Sequence, residues 1–358
     1  MGKSMGKGQL GWTGCSPLFV MVAVAALSVS LLFVSPVSHA DSKNEATVTR
    51  TVPALATPAD WLMKMVSAPD RLTYQGIFIY ENAAGLMTFQ VAHSPIDKVQ
   101  HERLIYQDGP YQEIIRKGDQ VAFIRADGAI NRFYSEGMSG LVERIANFQN
   151  DLRGSYRLLF GGEDRVAGRK ALRIDVQPRD HHRYAYALWL DQETGFMLRS
   201  EMMGEKGIVL ERLQYADFEL VKELPKGKLA PSRAVNWVKK EAPANARRPA
   251  DDAPTVWDAG WIPSGFEVAG FNRIDSPVSK KKVDSVLYSD GLSAFSVFVE
   301  EDESKVLGPA SEQIGATSAV SRIFRRGETY YNVTVIGEVP LGTAERVAVS
   351  VKPQGTAE

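Results

Sequence analysis

A chain of 358 residues, 44% of them hydrophobic, holds enough apolar material for two domains with real cores. Its formal net charge is −1, which argues against a broad basic surface for nucleic acid or an anionic membrane. Cys15 is the only cysteine, which excludes a disulfide framework and cysteine-based metal or nucleophile chemistry in a mature chain without it.

Residues 1–40 read as a secretory signal peptide. Lys3 and Lys7 precede an apolar run from Leu18 to Val34, and Ser38 and Ala40 put small residues at −3 and −1 of a cut after Ala40. The run is nearly long enough to anchor in a membrane, but Pro36 and the small-residue site favour cleavage. Cys15 precedes the apolar run, so it is not a lipoprotein acylation site and leaves with the leader. The mature chain then carries 40 basic and 43 acidic residues.

Residues 41–57 are a polar, flexible lead. Thr57, Pro58 and Asp60 then form a helix start, and Trp61, Leu62, Met65 and Val66 give that helix an apolar side. Strand signals follow at 72–80, 86–93, 99–106, 111–117, 120–125 and 129–134, separated by short Gly- and Asp-rich turns. Connections this short imply an antiparallel meander. A helix is expected over 138–152, with Leu141, Ile145, Phe148 and Leu152 in one stripe.

Strands resume from Tyr156, with Trp189 to Leu198 reading as a hairpin and the glycines of 161–169, Gly161, Gly162 and Gly168, as turn residues. Leu172, Ile174 and Val176 alternate with Arg173 and Asp175, the pattern of a half-exposed sheet. By contrast, 71–81 and 184–190 have apolar residues on both faces. A large curved antiparallel sheet with helices on its concave side accounts for both patterns.

The domain spans 58–221, and 222–255, with scattered charges and prolines, reads as a linker. A smaller α+β domain spans 256–352. Its strand signals fall at 260–271, 283–291, 292–300 and 328–339, with Ser289-Asp290-Gly291 as a tight hairpin turn. Residues 343–351 read as a short helix, though alternating valines also suit a strand.

Enzymatic motifs are absent. Asp180, His181 and His182 adjoin, but neighbouring histidines on a strand point apart and no second cluster completes a metal site. They read as a solvated strand-end turn, and His93 and His101 as surface or rim residues. The 136–141 stretch lacks the glycine spacing of a serine elbow, and 161–169 lacks that of a phosphate loop. No catalytic residue, metal or cofactor is assigned. The candidate ligand site is the apolar aromatic and methionine surface: Phe78, Tyr80, Tyr184, Tyr186, Trp189 and Met197. Flat rings and flexible Met suit irregular guests such as acyl chains, and core packing is the alternative.

Several segments taken together resemble the RseB/MucB family of periplasmic regulators. They are 72–80, 101–110, 111–124, 164–180, 183–202, 289–300 and 334–341, in order through both domains. Gln112 and the Ile105–Gln107 segment depart from the family pattern. The resemblance implies an N-terminal open β-barrel similar to lipoprotein carriers, a smaller C-terminal α+β domain and a mobile connection. It also implies a non-enzymatic negative regulator of the sigma-E envelope-stress response. Such a protein binds the periplasmic domain of the anti-sigma factor RseA or MucA and shields it from site-1 proteolysis. Lipopolysaccharide or lipoprotein acyl chains are the implied release signal, and self-association is left open. A periplasmic lipid or lipoprotein carrier is the runner-up, against which the 256–352 domain speaks. A hydrolase using Asp180 with His181 or His182 is the third reading.

Overall fold

The structure is a computed structural model that describes residues 57–118, 120–134, 145, 152–237, 257–275, 282–301, 309–326 and 328–353. The expected leader, most of the expected lead and the second part of the expected linker lie outside the described residues. So does most of the 138–152 helix, of which Ile145 and Leu152 are described and helical.

Helix α1 spans Pro58–Ser67 and opens with a capping box. Thr57 Oγ1 accepts the Asp60 N–H at 3.2 Å, and the Asp60 carboxylate accepts the Thr57 N–H at 2.9 Å. Trp61, Leu62 and Met65 form its buried face.

Six strands follow: β1 (Tyr74–Asn82), β2 (Gly85–Ile96), β3 (Val99–Tyr106), β4 (Gln112–Lys117), β5 (Gln120–Arg125) and β6 (Ile130–Tyr134). After a single turn of helix, α2 (Leu152–Ser155), come β7 (Tyr156–Val166), β8 (Arg169–Pro178), β9 (Ala185–Asp191), β10 (Met197–Met203) and β11 (Val209–Leu220). These make one 11-stranded antiparallel sheet in the order β6-β5-β4-β3-β2-β1-β11-β10-β9-β8-β7. Each run is a chain of hairpins, and the first and last strands meet in the middle. The edges β6 and β7 are not paired with each other, so the sheet is open.

The register assigns the faces, because directly opposed residues point the same way. Tyr80, Leu213, Ser200, Leu188 and Ile174 lie in one row. Leu188 and Ile174 share a buried core with Trp61, Leu62 and Met65 of α1 and with Ile145, so this face is the helix-covered one. The neighbouring row, Ile79, Gln214, Arg199, Trp189 and Arg173, lies on the opposite face.

Gly76 sits beside a bulge in the β1–β11 pairing, where a Cβ would come 2.2 Å from the Asp217 carbonyl oxygen. The expectation that Gly161 and Gly162 make a turn is corrected: both lie inside β7 at a bulge. Gly168 alone of the three is in the turn as expected, with Ala167, both at positive φ.

The second sheet contains β13 (Glu267–Asp275), β14 (Lys282–Ser289), β15 (Ala294–Glu301), β16 (Ala310–Ile314), β17 (Thr317–Arg326) and β18 (Thr329–Gly337). Their order is β13-β14-β15-β18-β17-β16. Helix α3 (Leu341–Ser350) packs Ala344, Val347 and Ala348 into its core. A short pair, β12 (Trp257–Ala259) with β19 (Val351–Pro353), completes the unit. The ambiguity over 343–351 resolves as helix through Ser350, with strand only from Val351. The β14–β15 connection spans Asp290 to Ser293, longer than the tight turn expected, and Asp290 Oδ1 accepts the Leu292 and Ser293 N–H groups.

Part of the expected linker is held against the first sheet. The Ser232 N–H donates to the Glu113 carboxylate at 3.1 and 3.2 Å, and Arg103 donates to the Lys228 carbonyl at 3.3 Å.

Candidate functional site

The 71–81 stretch supplies the aromatic half of the helix-covered face. Tyr74 stacks on His93 at 4.7 Å and packs on Phe196 and Phe218. His93 is 1% exposed, so the rim position expected for it is corrected. Its Nε2 lies 2.9 Å from the Pro69 carbonyl and its Nδ1 3.6 Å from Glu102.

Phe78 stacks on Phe89 with ring centroids 4.9 Å apart and leans on Tyr215 at 5.5 Å. Tyr80, one step further along this face, is half-buried, as are Met87 and Met203 beside the same cluster. Burial and the neighbouring Glu211 push the Tyr80 phenol far above its ordinary range.

Tyr184 and Tyr186 lie in the core under α1, with Met197 packed against it. Trp189 differs from the other candidates in where its side chain points, though it shares a buried cluster with Phe78. On the opposite face it is sandwiched between the guanidiniums of Arg173 and Arg199, at 5.1 and 4.2 Å, and its indole N–H donates to Asp164 at 2.8 Å. By register the sheet brings Phe78 and Tyr80 onto one face with Tyr184, Tyr186 and Met197 and points Trp189 to the other. In packing, Trp189 shares a buried cluster with Phe78, while Tyr184, Tyr186 and Met197 belong to the core under α1.

The buried carboxylates are engaged in ion pairs and caps. Asp191 pairs with Arg169 at 2.6 Å and accepts the Thr194 N–H and hydroxyl. Burial pushes its pKa up, but Arg169 and Thr194 outweigh that and hold it low. Burial likewise opposes ionisation of Glu201, and Arg199 and Arg212 reverse the balance. Neither carboxyl is poised as a general acid at neutral pH. Among the described residues, no three His, Cys, Asp or Glu side chains group to hold a metal.

The seam between the two sheets is built largely by residues to which the sequence assigned no role, His182 and Arg183, together with the candidate Tyr184. His182 Nδ1 lies 3.1 Å from Thr343 Oγ1, and the ring meets the edge of Trp261. Arg183 pairs with Asp290 at 2.9 Å, with both side chains 0% exposed, and donates to the Ser264 carbonyl. Tyr184 donates to the Val339 carbonyl at 3.0 Å and accepts from Gln313 at 3.1 Å. The solvated turn expected here is thus corrected for His182, while His181 is exposed. No periodicity could have revealed these partners, which lie 79–161 residues away. Beside them opens a cavity of about 450 Å³ lined by Ser155, Arg179 and Asp180 from one sheet unit and by Gly265, Glu267 and Asp290 from the other. None of the candidate aromatic residues lines it.

Comparison with known proteins fits both units. The MucB/RseB N-terminal domain model matches residues 57–233, and the MucB/RseB C-terminal domain model matches 251–352. The sigma factor AlgU regulatory protein MucB of Pseudomonas aeruginosa is 35% identical over 85% of this chain and 93% of its own length. The structure of the Pseudomonas aeruginosa MucA/MucB complex superposes with a TM-score of 0.69 at 31% identity, covering 84% of this chain and 99% of that one. A crystal structure of MucB gives a TM-score of 0.52 at 30% identity, covering 85% and 100%. Matched in order through both units and at this identity, the chain belongs to the MucB/RseB family.

Proposed function

We propose that this chain is a periplasmic, non-catalytic negative regulator of a sigma-E-type stress response. It binds the periplasmic domain of an anti-sigma factor of the RseA/MucA kind and shields it from site-1 proteolysis. The observation that carries this reading is the superposition on MucB in complex with MucA across 84% of the chain.

Release by lipid-like signals follows as linkage. A lipopolysaccharide or lipoprotein acyl chain that prefers the partner-free state lowers affinity for the partner by its differential affinity for the two states. The helix-covered face is the site proposed for that chain, entered at the half-buried Tyr80 and Met197 and continuing to Phe78, Tyr184 and Tyr186. Trp189, on the other face, has no part in it.

Titration calorimetry with the periplasmic segment of the cognate anti-sigma factor tests the reading. Saturable binding at micromolar concentrations or tighter is expected, and no binding there overturns it. Native mass spectrometry of protein purified from the periplasm, with a retained acyl ligand as the expected result, tests the lipid half separately.

A further inference from the structure

His182, Arg183 and Tyr184 are consecutive, belong to the first sheet unit, and each reaches the second. Arg183 is the most enclosed. Its guanidinium pairs with Asp290 at 2.9 Å and Asp180 at 3.2 Å, donates to the Ser264 carbonyl, and lies over the rings of Tyr156 at 5.5 Å and Phe266 at 5.0 Å. Tyr156, from the first unit, also donates to Asp290 at 3.0 Å. Tyr156 and Phe266 belong to the cores of their own units, but Arg183 and Asp290 come from different units and pair with each other, so parting the units returns both charges toward water together.

We infer that this cluster is an interdomain latch with Arg183 as its pin, and that closing it is linked to binding of the anti-sigma partner. The linkage rests on the function proposed above. Two physical points support it. A buried ion pair has two well-defined states, assembled or solvated, because a partly opened one leaves a desolvated charge without its partner. Here Arg183 Nε, buried with no hydrogen-bond partner, makes the assembled state depend all the more on Asp290. In addition, the chain superposes better on MucB in the MucA/MucB complex than on a crystal structure of MucB, at TM-scores of 0.69 and 0.52, with nearly equal identity and coverage. MucB in a further complex with the MucA periplasmic domain gives a TM-score of 0.66, so the latched chain is nearer in overall geometry to both partner-bound structures than to that MucB structure.

The seam supplies its own reporter. An ideal Cβ on Gly265 lies 3.8 Å from Ser155 Cβ, the usual separation across a disulfide. The only native cysteine is Cys15. Gly265 has φ +84°, so a cysteine there carries backbone strain, and every comparison is made within the one background. The double variant Ser155→Cys with Gly265→Cys, in the periplasmic chain, reads closure by oxidation and locks it.

In that background Arg183→Met leaves Asp290 without its cation and opens the latch. Oxidative cross-linking is expected to slow at least tenfold. Partner affinity of the reduced protein, by calorimetry, is expected to fall about 100-fold, the dilution of the competent state. Oxidation is expected to restore affinity to within about threefold of the protein with Arg183, because the disulfide replaces the pin. A mere folding defect is separated by this rescue and by near-ultraviolet circular dichroism of each unit's aromatic core. If Arg183→Met binds as tightly as its parent, or if locking weakens binding or fails to rescue it, the latch is overturned while the proposed function stands. If the parent with Arg183 does not bind the partner in either redox state, the proposed function and the linkage fall together.

Discussion

Phe78 is where core packing and ligand binding make opposite demands, and truncating it separates them. The side chain is 8% exposed, stacked on Phe89 at 4.9 Å with 12° between the planes and tilted against Tyr215 at 5.5 Å. Removing about 150 Å² of buried apolar ring at about 25 cal/mol per Å² costs about 4 kcal/mol. Phe→Ala changes in packed cores cost about 3–5 kcal/mol in all. Phe78→Ala is therefore expected to destabilise the N-terminal unit by about 4 kcal/mol and to lower its Tm by roughly 8–16 °C for a unit of this size. Urea and thermal unfolding by near-ultraviolet circular dichroism, on ligand-stripped protein, are the assays. Tyr80→Ala, at a half-buried position, is the control and is expected to cost roughly 1 kcal/mol or less. A loss below about 1 kcal/mol for Phe78→Ala would refute the packing argument and make the ring the wall of an open cavity.

Two further outcomes follow from named groups. Burial of Glu113 favours its protonation, but donors from Ser232 and Tyr111 and the charge of Arg103 outweigh it and leave its pKa lowered. Its contribution to holding 222–237 is present above the unfolded pKa near 4.5 and lost as pH falls through the lower folded value. Glu113→Gln is expected to cost about 2–3 kcal/mol and to expose Lys228 and Arg233 to trypsin at neutral pH; unchanged cleavage there would count against the strap. At the seam, burial lowers the His182 pKa, with Arg346, Arg183 and His181 acting in the same sense and Asp180 against them. A lowered value in the closed state means that closure is favoured above about pH 6.5 and weakens as pH falls through the closed-state value. Cross-linking of the Ser155→Cys, Gly265→Cys protein, corrected for thiolate fraction, is expected to fall between about pH 7 and pH 5. His182→Asn should flatten that slope, and an equal slope in the variant rules the residue out.

Most of the first sheet was legible because its information is local. Alternation over 99–106 and 120–125, bounded by Gly and Asp turns, requires nothing beyond neighbouring residues, and those bounds coincide with β3 and β5. The β16–β17 hairpin was missed for the same reason. Ala310–Ile314 is exposed throughout and has no apolar alternation, so its strand state comes from pairing with β17. The glycines of β7 were misread because a bulge and a turn use the same residue. His93 and Arg183 show what local patterns cannot carry. One looks like a rim residue until Tyr74 stacks on it, and the other like a surface charge until Asp290 closes over it. Among the candidate ligand residues, period-2 alternation already put Trp189 opposite Tyr186, but only the arginines on either side explain how an indole is satisfied there.

Tyr184 joins the proposed lipid face to the latch. Its ring belongs to the core beneath α1, alongside Tyr186 and Leu188, while its hydroxyl crosses the seam to the Val339 carbonyl. Burial pushes the phenol up to about 12, so it remains a donor at any periplasmic pH. If the helix-covered face takes an acyl chain as proposed, insertion among these rings is expected to displace Tyr184 and break its bonds to Val339 and Gln313. Tyr184→Phe keeps the ring and removes the bonds. Ser318 still donates to the Val339 carbonyl at 2.7 Å, so no acceptor is stranded and the direct cost is about 1 kcal/mol or less. Partner affinity without lipid is therefore expected to change by less than about fivefold. The weakening of partner binding by added lipopolysaccharide should shrink in the variant, because one of the connections through which an occupied face opens the seam is already gone. If lipopolysaccharide weakens binding of Tyr184→Phe as strongly as that of the parent, the signal does not pass through this side chain.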